Sequence, residues 1–423
     1  MEGNANRLKL LPQMVTLVFL CTLVLASGSL AQENAVNEVR IGNILPLSGP
    51  SAKAGKQNQS AIELATEHIN AGGGIKSLAG AKLVNVWADS RGEVAFGMTA
   101  AEQLIKTDKV SVISGAWNSA VTYPTSQVAE QARIPYVVPV SVRDTITDRG
   151  FKYVFRTAPK DSWRSRDQFR FLKDMGKSTG TKVEALALIF EDGGWGRSLK
   201  DQWTRLAASQ GYKVVLVEPY AASASDLTVT VMKIRNAQPD VILLASFTED
   251  AVLLAGTMSA LKVRAKAVIA SGGGHASRTF TKNAGISCEY LFDVSGWEPD
   301  MNRPAIAPLS EQFMKRYGFE LSAETVDAFA SVYVIAHALE VAGSMDPQHI
   351  RGELKDIDMC RGKGWLGIDI LAYDCIEFDK TGQNENACHV MVQFRNIGGA
   401  VERVTVWPDS VARKGFKPVF PAP

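Results

Sequence analysis

The sequence predicts an α/β fold built from two doubly wound, mainly parallel sheets. Three observations predict it. Short β-rich runs alternate with helical patterns at a spacing of about 20–30 residues, as parallel β/α units do. Several of these runs are apolar without interruption, Leu186-Ala187-Leu188-Ile189 and Val241-Ile242-Leu243-Leu244 among them, which is how strands covered on both faces read. The rhythm resets near Pro159, so a second series of units begins there. A chain of 423 residues is also longer than one core ordinarily serves, and two domains are expected.

Taken in order, the chain opens with an export signal. Arg7 and Lys9 form a basic start, an apolar run covers 14–25, and Ser29-Leu30-Ala31 offers a small-x-small cleavage site, so residues 1–31 are read as a signal peptide and the mature chain as beginning at Gln32. Leu20 precedes Cys21 where a lipid-anchored chain needs a small residue, so no anchor is expected. The apolar run is shorter than the roughly 20 residues that span a bilayer, and no later stretch is read as long enough. The expected strands are 39–45, 83–87, 110–114, 136–140, 185–190, 213–218, 241–245 and 267–270. Between them lie helices such as 57–70, with Ala61, Leu64, Ala65 and His68 on one face, and 98–106, with Met98, Ala101, Leu104 and Ile105 on one face. A helix over 163–175 opens the second series. Helices over 308–317 and 326–342 follow each other with no strand between, and the tail from Gly364 looks antiparallel. No Ser/Gly-rich linker interrupts the chain, so the lobes are expected to be joined by several strand-like crossings.

Charge is nearly balanced, with 46 basic and 44 acidic residues and a net charge of +2, which excludes the basic stripe of a nucleic-acid binder. Beyond the signal, Cys288, Cys360, Cys375 and Cys388 fit no zinc spacing. A disulfide within the last three is expected, its pairing open, and a hairpin from 376–379 to 389–392 with a turn at Gly382 is expected between the last two. The glycine clusters at Gly72-Gly73-Gly74 and Gly272-Gly273-Gly274 do not make a dinucleotide fingerprint, and the chain has neither a phosphate loop nor a nucleophile elbow. An enzyme is therefore not expected, nor a cofactor or metal.

In doubly wound sheets ligands sit beyond the carboxyl ends of the strands, so the loops there carry the candidates. After the third strand, Trp117-Asn118-Ser119 leads into a helix. A helix N-terminus with an adjacent hydroxyl suits a carboxylate, because its unpaired N–H groups and its dipole both favour negative charge; the plainer reading of Ser119 is a helix cap. Val140-Ser141-Val142 follows the fourth strand. In the second series Trp195 lies in a glycine-rich elbow and Asp250 in a helical first turn, where the plainer readings are a packed surface ring and an acid favoured by the helix dipole. His275, after Gly274 at a strand end, is the one candidate cleft histidine. His68, His337 and His389 are read as core or surface residues.

These features resemble, in order, the substrate-binding proteins of ABC importers in the branched-chain amino-acid group, the type I periplasmic binding proteins. The resemblance runs from about Val39 to Gln393 and rests on Ser48-Gly49-Pro50 with Gly55, Asn70-Ala71-Gly72-Gly73, Ala88-Asp89-Ser90, the loop 115–126, Ile134-Pro135 with Pro139, Phe155-Arg156-Thr157 and Phe378-Asp379-Lys380-Thr381-Gly382. It implies two Rossmann-like lobes joined by three hinge crossings: an N-terminal lobe of 32–157 and 291–357, and a C-terminal lobe of 158–290 and 358–423. It implies closure on a ligand by hinge motion. Ser119 falls on the hydroxyl that holds the ligand carboxylate. Val140, Ser141 and Val142 fall where a backbone carbonyl and a threonine grip the ligand, with Val142 replacing the threonine. Trp195 falls on an aromatic cover and Asp250 on the acid that takes an ammonium. Arg91 and Asn118 replace the two cysteines of a first-lobe disulfide, so a polar contact between them near the mouth is expected. The function implied is capture of a small carboxylate-bearing ligand, an amino acid or an aromatic or short organic acid, by a periplasmic monomer that delivers it to an ABC importer permease. A sensory protein of the same fold is the alternative reading, and an exported α/β hydrolase a weaker one.

Overall fold

The computed structural model describes Met1 and residues 38–423. The export signal expected over 1–31 lies, Met1 apart, outside the described residues. Five strands form the first sheet: β1 (Glu38–Leu45), β2 (Lys82–Asp89), β3 (Val112–Gly115), β4 (Tyr136–Val138) and β5 (Val154–Arg156). Their order is β2-β1-β3-β4-β5 and every pairing is parallel. The second sheet holds β6 (Ala185–Glu191), β7 (Lys213–Tyr220), β8 (Val241–Ala245), β9 (Ala267–Ala270), β10 (Phe292–Ser295), β13 (Val390–Ile397) and β14 (Ala400–Trp407), in the order β14-β13-β10-β9-β8-β6-β7. It is parallel from β7 to β10 and antiparallel from there to β14.

Helices cover both sheets. In the first part they are α1 (Ala52–Ala71), α2 (Val94–Lys106) and α3 (Ser119–Ala132); in the second, α4 (Asp161–Thr179), α5 (Gly194–Gln210), α6 (Thr228–Ala237), α7 (Thr248–Ala260) and α8 (Arg278–Ala284). The chain then gives α9 (Ile306–Tyr317), α10 (Ala323–Ala342) and α11 (Pro347–Lys355). All five residues of β8 are buried, the consequence of being covered on both faces. α10 has 20 residues and is apolar enough to cross a membrane by length and composition, against the sequence expectation, but 72% of its apolar window is buried inside the protein. Val326, Phe329 and Ile335 of α10 share a cluster with Ala61, Leu64 and Ala65 of α1, so α10 is a core helix of the first-sheet layers.

The chain passes between the two sheets three times: after β5, after β10 and before β13. β10 pairs with β9 and β13, so the second passage falls after Ser295, whereas the sequence reading placed it at 291. Met359, Ile368 and Ile376 pack with Phe329 and Leu339 of α10, so the third passage also lies later than 358. The passages are tied together. The N–H of Arg156 donates to Gly382 O at 2.7 Å, and the N–H of Asn384 donates to Arg156 O at 2.9 Å.

The expected hairpin from 376–379 to 389–392 does not form. β12 (Cys375–Ile376) pairs instead with β11 (Met359–Cys360), while β13 pairs with β10 and β14. A disulfide joins Cys360 to Cys375 across the β11–β12 ladder, and Cys288 and Cys388 are free. Closing a loop across their separation of 15 residues stabilises by about 3 kcal/mol in the chain-entropy picture.

Candidate ligand-binding cleft

The local chain order builds a helix start at the end of β3. Trp117 takes a left-handed conformation (φ 68°), which turns the chain abruptly. The N–H of Ala116 donates to Thr122 Oγ1 at 2.9 Å, and Asn118 O receives the N–H groups of Val121 and Thr122 at 3.0 and 2.9 Å. Asn118 is therefore the cap residue and Ser119 the first residue of α3, one place later than a capping serine would stand. The N–H groups of Ser119 and Ala120 find no backbone acceptor among the described residues. They leave the positive end of α3 open to an anion.

A cleft of about 560 Å³ lies at this helix end, beside the crossings. It brings together six of the residues singled out in the sequence: Trp117, Asn118, Ser119, Val140, Ser141 and Val142. Ser141 contributes backbone only. Its hydroxyl is buried, 2.6 Å from Thr122 Oγ1, and donates to Trp117 O at 2.9 Å. Ser119 keeps its hydroxyl nearly free, since the N–H of Arg143 approaches it at only 3.4 Å.

Four expected site residues lie elsewhere. His275 is fully buried, its ring edge-on to Phe280 at 4.8 Å and both ring nitrogens without a partner. Gly272 and Gly273, both at positive φ, turn the chain inward just before it, and burial lowers its pKa to about 4. Asp250 is 1% exposed, its carboxylate without a side-chain or backbone partner by geometry, because the first turn of α7 points it beneath the surface. Burial raises its pKa. Arg91 stacks over Phe96 at 4.0 Å and makes no hydrogen bond with Asn118, so the expected polar contact at the mouth is not formed. Trp195 packs against Phe247, ring centres 5.7 Å apart, outside the cleft lining.

Four titratable lining residues escaped sequence reasoning: Arg164, Glu324, Asp327 and His389. Glu324 and Asp327 stand three apart at the start of α10, where acids read simply as partners of the helix dipole. Glu324 accepts from Trp117 Nε1 at 2.8 Å, and burial raises its pKa against that hydrogen bond. Asp327 is pushed well above the usual carboxylate range, by burial first and then by Glu324. Arg164 of α4 has no carboxylate partner among the described residues; its Nη1 donates to Ser271 O at 3.4 Å. That contact links the cleft to the second sheet. Gly273, two residues on, holds Trp195 so closely that a Cβ there would lie 2.5 Å from the indole, so the Trp195–Phe247 pair sits one loop beyond Arg164. The cleft thus offers a positive helix end, a guanidinium and two carboxyl groups in one lining, suited to a small ligand carrying charge.

Residues 38–375 match the family described as "Periplasmic binding protein". The chain belongs to that family. Among curated relatives it is similar to the "Leu/Ile/Val-binding protein homolog 8" of Brucella suis biovar 1, 28% identical over 409 residues that cover 94% of this chain and 97% of the relative. Among solved structures it is similar to a "putative branched-chain amino acid ABC transporter" protein from Silicibacter pomeroyi (TM-score 0.75, 21% identity, covering 90% of this chain and 99% of that one). It is also similar to a solute-binding protein of an ABC transporter from Rhodopseudomonas palustris BisB5 in complex with 3,4-dihydroxybenzoic acid (TM-score 0.62, 18% identity, covering 90% and 99%). This periplasmic binding protein has the α/β fold with mostly parallel sheets of the type I class, and its role is solute binding.

Proposed function

We propose that this periplasmic binding protein captures a small carboxylate-bearing solute, an amino acid or an aromatic or short organic acid, and hands it in the periplasm to the permease of an ABC importer. The observation that carries this reading is the open N-terminus of α3 with Ser119, lining one cleft together with Glu324 and Asp327. A carboxylate at the helix end leaves the rest of the ligand facing acceptors. The lobes we assign are 38–157 with 296–383, and 158–295 with 384–423, the cleft lying between them. Trp195 and Phe247 form the apolar face that the second lobe would bring over the ligand. The names of the relatives support a carboxylate ligand, since branched-chain amino acids and dihydroxybenzoate share that group.

A thermal-shift screen against amino acids and aromatic acids tests this. A ligand at 100 times its Kd adds about 2.7 kcal/mol of stability. Ser119→Ala is then expected to weaken binding of the best hit by about tenfold or more while leaving the unliganded melting point unchanged, because a hydrogen bond to a charged group contributes about 1.5–3 kcal/mol. Unchanged affinity by calorimetry removes Ser119 from the site.

A further inference from the structure

We propose that His389 is a specificity-determining contact that selects ligands carrying a hydrogen-bond donor (hydroxyl or amide) on the side chain or ring, and so disfavours a purely hydrocarbon side chain. The inference rests on the carboxylate-capture reading above and names what the opposite wall recognises.

His389 is 3% exposed yet lines the cleft. Its Nδ1 lies 3.1 Å from Asp167 Oδ2, and its backbone N–H donates to the same oxygen at 2.9 Å. Asp167 is fully buried and held in turn by Arg166 Nε at 2.9 Å and Arg170 Nη1 at 3.3 Å. A carboxylate between two guanidinium groups only accepts hydrogen bonds, so it fixes the Nδ1–H tautomer of the imidazole. The other ring nitrogen, Nε2, then carries a lone pair, has no partner among the described residues and is the ring's remaining polar edge on the cleft.

A buried acceptor left against hydrocarbon costs free energy, whereas a donor on the ligand satisfies it. Sites that hydrogen-bond a ligand OH or NH reject analogues lacking it far more strongly than apolar pockets discriminate by shape. Glu324 and Asp327 line the same cleft and add further polar oxygens. An isobutyl side chain would leave His389 Nε2 without a partner. An amide or a ring hydroxyl would not.

The test uses matched probes on the protein without its signal: L-asparagine against L-leucine, and 3,4-dihydroxybenzoate against benzoate, each titrated by calorimetry. The donor-bearing member of at least one pair is expected to bind about tenfold or more tighter. His389→Asn keeps an amide donor for Asp167 but does not reach the Nε2 position, and should bring that ratio to about threefold or less; His389→Gln, which does reach it, should restore part of it. Equal or tighter binding of leucine and benzoate overturns the proposal, as does a ratio that survives in His389→Asn. Binding that is lost in Ser119→Ala while the ratio ignores His389 keeps the carboxylate reading and removes this one. No binding by any of the four probes counts against both.

Discussion

Replacing Arg156 by methionine is expected to lower the unfolding free energy by about 3–5 kcal/mol, read as a shift in the urea midpoint at unchanged slope. Arg156 is completely buried where the first and third crossings meet. Its Nε donates to Gln383 Oε1 at 2.6 Å, Nη1 to Arg143 O at 2.7 Å and to Ser141 O at 3.3 Å, and Nη2 to Thr147 Oγ1 at 2.8 Å. Methionine fills the volume but satisfies none of these acceptors. Lysine would not restore them either, since the planar fork that reaches several directions at once is lost. The same donors hold the 141–143 loop that lines the cleft, so ligand affinity should fall with stability. A loss under about 1 kcal/mol would show that Arg156 does not hold the crossings together.

The second large effect is on pH dependence. Burial depresses the His275 pKa from 6.5 to about 4, against a smaller opposing influence from Asp293, while Arg403 lowers it further. The unfolded chain therefore takes up this proton below pH 6.5 while the native state does not until about pH 4. Stability contributed by the neutral ring is complete above pH 6.5 and falls as pH drops through this window. The loss amounts to about 3 kcal/mol, each pKa unit being about 1.4 kcal/mol. His275→Leu should flatten the stability curve between those limits relative to the parent, whatever the neighbouring carboxyl groups contribute to both. Identical pH slopes in the two proteins would mean that His275 is hydrated or paired in solution.

The fold was legible where local physics decides it. β8 and β9 fall on the residues expected from the sequence, because a strand covered on both faces must be apolar throughout. β5 has three residues, too few for any period to register. The false hairpin around Gly382 arose because the turn is real, with Asp379 N–H and Gln383 O bonded at 2.9 Å, while its arms are claimed by other partners. The part of the cleft lined by Trp117, Asn118 and Ser119 was readable because a single loop and helix start supply it. Lining residues brought in from far along the chain were not: His389 depends on Asp167, 222 positions away, and Glu324 meets Trp117 across 207. Asp250 is buried and absent from the cleft lining, which its position in a first turn does not reveal.

Capture between two moving lobes is the central proposal. Trp117 lines the cleft while Trp195 and Phe247 stand one loop beyond it, so a ligand bound at Ser119 should draw the second lobe inward. Solution scattering of the protein, unliganded and saturated with the tightest-binding carboxylate, measures this directly. A smaller radius of gyration in the complex is the predicted result; saturation with no change in the scattering profile would contradict it and point to a preformed pocket.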